Sequence, residues 1–150
     1  MYHTTKKNPA SGTSGIELFV RGSILVKLVL LAYVCAYGGA TYNHIADCMR
    51  YGFGYPELHR NVSGFVKIYW TALTFADPLA VVVLALRARL GVALYALIIV
   101  SDVAINAVVA IRAGGGLAAL ADFGLACQFI FMVFLLVTYR FIFRKTKPAA

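Results

Sequence analysis

The chain has 150 residues, of which 61% are hydrophobic and 13% charged. Soluble domains are about half apolar and about a quarter charged, and disordered chains are more polar still, so this composition excludes both. Fourteen Lys and Arg against six Asp and Glu leave a net charge of +8. So apolar a chain has little surface for a nucleic-acid groove, and the expected partner is the lipid bilayer.

Residues 1–20 are rich in Ser, Thr, Gly and Lys and predict a flexible polar tail. A helix needs about 20 apolar residues to cross the hydrocarbon core. Four stretches qualify, at about 23–42, 65–86, 90–111 and 117–139. They make one transmembrane domain over 21–143, followed by a basic tail, 144–150. The expected fold is an all-α integral membrane four-helix bundle, up-down-up-down. One rival reading concerns the first span. Lys27, the apolar run 28–35 and Ala36-Tyr37-Gly38 share the layout of a cleaved secretion signal. The leader would be unusually long and the apolar run continues past the site, so the span is retained.

Basic residues orient such a bundle. Lys6, Lys7, Arg21, Lys27, Arg87, Arg89, Arg140, Arg144, Lys145 and Lys147 fall on one side, against Arg50, Arg60, Lys67 and Arg112 on the other. The richer side is expected to be cytoplasmic and to hold both termini. A compact, Ala- and Val-rich chain fits a cell inner membrane as a multi-pass protein.

Three of the acids fall within the spans: Asp77, Asp102 and Asp122. A carboxylate at membrane depth is costly and calls for a partner, a proton or water. From the turn at Ala88, Asp77 is 11 residues away and Asp102 is 14. At 1.5 Å per residue their depths differ by about 5 Å. Helical spacing lines up Tyr33, Tyr37, Ala40, His44 and Asp47 on the first span. Lys67, Thr71, Thr74 and Pro78 align on the second, with Trp70 and Asp77 beside them. Gly91, Tyr95, Ile98, Asp102 and Asn106 share a face of the third, and Ala121, Gly124, Gln128, Phe131 and Leu135 one of the fourth. Such polar and small stripes mark the inward faces of a bundle. The polar groups gather from mid-depth outward. The expectation is an outward-opening pocket floored by Asp77, Asp102, Thr74, Asn106 and Gln128 and lined by Tyr33, Tyr37, His44, Lys67, Trp70 and Tyr95. Pro78 has no N–H and deprives the Thr74 carbonyl of its helical partner, which adds a hinge or a coordination point.

Cys35, Cys48 and Cys127 make no Cys-x-x-Cys pair. His44-x-x-Asp47-Cys48 with Glu57-x-His59 collects ligand types without a recognised metal spacing. Neither metal nor cofactor is expected, and no Ser/His/Asp set or nucleotide loop occurs. The leading functional expectation is handling of a small solute, cation or proton, with a homo-oligomer as the carrier because one bundle encloses little volume. The alternatives are a non-catalytic accessory, assembly or immunity-type protein, and a protein or enzyme acting on a lipid or apolar ligand. Catalysis is the less favoured class.

Overall fold

The computed structural model describes residues 12–54, 62–116, 118 and 122–145. Among these the chain is all-helical. A short α1, Gly15–Arg21, precedes four long helices: α2, Ile24–Tyr51; α3, Gly64–Leu86; α4, Ala88–Ala110; and α5, Phe123–Lys145. A wide π-type turn, Ile111–Gly115, continues α4 and breaks at Gly114, where φ is 94°. Each long helix contains a stretch long and apolar enough to cross a membrane. Successive helices pack on one another, α2 on α3, α3 on α4 and α4 on α5, with a lighter contact between α2 and α5. The chain is a multi-pass membrane protein.

Part of the expected tail is helix α1. Ser14 caps it, its hydroxyl accepting from the Glu17 N–H at 3.0 Å, which satisfies one of the free donors of the first turn. Leu18 is buried against the bundle. The Ala88 N–H donates to the Thr13 carbonyl at 3.1 Å, tying α1 to the start of α4. Gly15 sits so close to the end of α3 that a Cβ there would collide with the Leu84 carbonyl. Residues 1–11 lie outside the described residues.

Helix α2 runs nine residues past the expected end of the first span, to Tyr51. Nothing between 43 and 51 breaks a helix, and Gly52, at φ 77°, supplies the left-handed stop that a side chain disfavours. His44 and Asp47 therefore project from helix. The last helix differs in the opposite sense. It begins at Phe123, and Asp122 precedes it as a cap rather than lying within a span. The Asp122 Oδ1 accepts from the Gly124 and Leu125 N–H groups at 2.9 and 3.2 Å. A carboxylate capping a helix N-terminus also meets the positive end of the helix dipole.

One residue, Arg87, separates α3 from α4, and α4 folds back along α3. Gly91 makes this hairpin close: a Cβ there would strike the backbone and side chain of Leu84. Beyond this contact the core fills with aromatic rings. Tyr37 and Tyr95 stack with centroids 3.7 Å apart, and Tyr33 meets Tyr95, Phe131 and Phe134 edge-on at 5.8, 6.1 and 5.9 Å. The three edge-on contacts suit the ring quadrupole. The Tyr33 hydroxyl shares a 2.7 Å hydrogen bond with Thr138 Oγ1, closing α2 on α5.

Candidate functional site

A cleft of about 340 Å³ opens at the end of the bundle opposite α1. Its polar walls are His44 and Asp47 from α2, Trp70 from α3, Asn106 from α4, and Asp122 and Gln128 from the α5 end. Among the described residues, neither Lys nor Arg lines it. The volume falls within the range of small-molecule sites, about 300–1,000 Å³.

The wall residues continue into a buried layer. Asn106 Nδ2 donates to Asp102 Oδ1 at 3.0 Å and to Gln128 Oε1 at 3.1 Å. Gln128 Nε2 donates to Asp102 Oδ2 at 2.8 Å, and Trp70 Nε1 donates to Asn106 Oδ1 at 2.8 Å. Helices α3, α4 and α5 are thus joined by one closed network. Both oxygens of Asp102, itself 6% exposed, act as acceptors, the role suited to a carboxylate. The i, i+4 spacing of Asp102 and Asn106 places them one turn apart on one face of α4.

Asp77 has a different environment. It is 2% exposed. Its Oδ2 lies 3.7 Å from His44 Nε2, too long for a hydrogen bond. Its Oδ1 is buried with no hydrogen-bond partner, as is the Tyr95 hydroxyl. Thr74, one turn earlier on α3, faces Cys48 Sγ at 3.5 Å. The two acids that the sequence places at similar depth are therefore unlike: Asp102 is fully engaged and Asp77 is not.

Of the expected lining residues, His44 and Trp70 stand in the cleft wall. Tyr33, Tyr37 and Tyr95 do not. They are buried as the aromatic layer beneath the acids, where their rings pack on one another and on Phe131. Tyr37 donates its hydroxyl to the Tyr95 backbone carbonyl, so even its polar tip is used in packing. Lys67, in the first turn of α3, is half-buried outside the cleft wall. Asn106 and Gln128 line the wall as well as reaching Asp102. The sequence reading omitted Asp122 from the site. The signal was there: an Asp followed directly by Phe-Gly and an apolar run is a helix start, and a last helix that begins at Phe123 rather than 117 places that cap at the mouth.

Among the described residues, no cluster of three metal-ligating side chains occurs. Glu57 and His59, two of the five residues in the mixed ligand set, lie outside the described residues, as does Ala121. Comparison of the chain with models of protein families, with curated proteins and with solved structures found no match.

Proposed function

We propose that this membrane protein binds a small cation or proton through the cleft and passes it toward Asp77. The observation that carries the reading is the convergence of acids. Asp47 and Asp122 stand in the cleft wall, and Asp77 and Asp102 lie one contact beneath it. These are four of only six acids in a chain of net charge +8. A negative cleft with low-dielectric walls concentrates cations, and the face of an indole such as that of Trp70 attracts them further. Asp77, with one unpartnered oxygen, is the group a cation or proton would satisfy. Asp102 is the anchor that holds Asn106 and Gln128 in the wall. The aromatic layer below the acids closes the path toward the α1 end, so passage across the membrane requires that layer to move or a second protomer to contribute.

The positive-inside imbalance supports a cytoplasmic α1 end with both termini on that side, in an inner membrane, and an outward-facing cleft. Cysteine placed at Arg87 should label only from the cytoplasmic face, and cysteine placed at Arg60 only from outside.

A second reading has its own observation. The Trp70–Asn106–Gln128–Asp102 network is closed, as polar groups are when they serve only to fix helix packing. On that reading the protein is a non-catalytic accessory or assembly factor. Reconstituted vesicles separate the two. Uptake of sodium, potassium, methylammonium or protons should depend on Asp77, and Asp77→Asn should abolish it while the protein stays folded. Equal uptake by an Asp77→Asn/Asp102→Asn double variant that remains folded would overturn the cation reading.

A further inference from the structure

The α1 end carries a second concavity of opposite chemistry. A groove of about 290 Å³ runs between α1, α2 and α3, walled by Ile16, Phe19, Leu31, Val34, Val81 and Leu84. Its lining is carbon throughout except for traces of backbone. Helix α1 buries Leu18 against the bundle but leaves Ile16, Phe19 and Val20 exposed. These three follow i, i+3, i+4 spacing and form one outward apolar face. A seven-residue helix with such a face has its natural place at the membrane boundary, not in water.

Two cations stand at the same end of the bundle as the groove, in the first turn of α2 and at the tip of α3. Lys27 stands on the same α2 face as Leu31 and Val34, at i, i+4 and i+7, and is half-buried. Arg87 is exposed at the tip of α3, two residues beyond Ala85 of the groove wall. Glu17 is the one acid among the described residues of this end, and its carboxylate lies 3.5 Å from Arg21. Arg89 is engaged elsewhere, donating to the Phe143 carbonyl at 3.2 Å. Among the described residues, no carboxylate comes within ion-pair distance of Lys27 or Arg87.

We propose that this groove is a binding site for an anionic phospholipid. One acyl chain lies between α1, α2 and α3, and the phosphate is held by Lys27 and Arg87. Apolar walls near two cations that have no carboxylate partner among the described residues match a molecule with a hydrocarbon tail and a negative head, and basic residues at a membrane boundary attract anionic lipids. Helix α1, pinned by Gly15 and the Thr13 carbonyl, forms the outer wall. This inference is independent of the cation reading, since none of its residues borders the cleft.

Native mass spectrometry of the full chain, released from detergent containing equimolar phosphatidylglycerol and phosphatidylcholine, tests it. The wild-type protein should retain phosphatidylglycerol about tenfold over phosphatidylcholine. Lys27→Gln/Arg87→Gln should abolish that preference with unchanged helical content. Val34→Trp, which fills the groove from a lipid-facing wall, should lower retention of both lipids, and Leu31→Phe serves the same purpose should the tryptophan variant fail to fold. Equal retention of the two lipids by wild type would overturn the proposal. So would a preference that survives the double glutamine substitution, or a groove occupied by a second copy of the chain, seen as a lipid-free dimer that Val34→Trp dissociates.

Discussion

At the α1 end, α3 and α4 meet through Gly91 against the Leu84 backbone, with Gly15 pressed on the Leu84 carbonyl from the other side. At the cleft end the same two helices are joined by side chains. Tyr69 shares a 2.8 Å hydrogen bond with Ser101, and Trp70 donates to Asn106. Backbone contact leaves no volume between helices, whereas side-chain bridges hold them apart. The hairpin is therefore closed where glycine sits and open where long polar residues sit. Within a membrane, where apolar helices gain little from leaving lipid, close approach at small residues and interhelical hydrogen bonds are the two available ways of joining helices. The α3–α4 pair uses one at each end.

Substitutions that exchange these two modes should have graded effects. The largest is expected for Gly91→Val. The added side chain meets main chain that has nowhere to move, and overpacking of this kind costs about 3 kcal/mol. Thermal unfolding in detergent should show a fall of many degrees or failure to fold, and an unchanged midpoint would mean that the hairpin is looser than described. Next is Asp102→Asn. An amide nitrogen would then face the donors of Asn106 or Gln128, and one unmet buried group costs about 1–3 kcal/mol. Helical content should persist while the unfolding midpoint falls.

Smaller effects discriminate further. Asp122→Ala removes the cap of α5 at a cost of about 1 kcal/mol, read as fraying of the first turn by amide hydrogen exchange. Tyr33→Phe removes the bond to Thr138 and should cost about 0.6 kcal/mol. Tyr95→Phe removes a buried hydroxyl that has no partner, so its unfolding midpoint should hold or rise. The smallest change in stability belongs to Asp77→Asn, whose carboxyl contributes no hydrogen bond to the packing. A large loss of stability there would show Asp77 to be structural and would remove the asymmetry between the two acids.

Much of the fold was legible because hydrophobic length is a local property. Four apolar runs are visible in the residues and are four long helices in the structure. The helix ends were less so. A span is counted by apolar content, but a helix ends where a cap or a left-handed glycine stops it. Hence α2 continues through the polar residues 43–51 to Gly52, and Asp122 stands outside α5 as its cap. Helix α1 was hidden for the opposite reason. Its start signal, Ser14 three residues before Glu17, is written in the residues, but seven residues are too few to hold a helix alone, and docking of Leu18 and the close seat for Gly15 keep them in place.

The site divides in the same way. Helical spacing placed His44, Trp70, Asn106, Gln128 and the two aspartates on inward faces, because a 3.6-residue period is written in the residues. The same spacing put Tyr33, Tyr37 and Tyr95 on those faces, but a face does not say whether a side chain lines space or fills it. That depends on what stands opposite. Phe131 and Phe134 of α5 meet the tyrosines and close the core, whereas beside His44 and Asn106 α5 presents the smaller Gly124, Leu125 and Gln128. Likewise, one chain position gives each aspartate its depth, and Asn106 is within reach of Asp102 along α4, but the partners that distinguish them come from other helices: Gln128 of α5 for Asp102, and only a distant His44 of α2 for Asp77. By itself the sequence determined that this is a helical membrane protein with acids at membrane depth. Only the tertiary structure decided which acid is satisfied, which is left open, and at which end the bundle parts, because those outcomes depend on side chains more than 20 residues apart meeting in space.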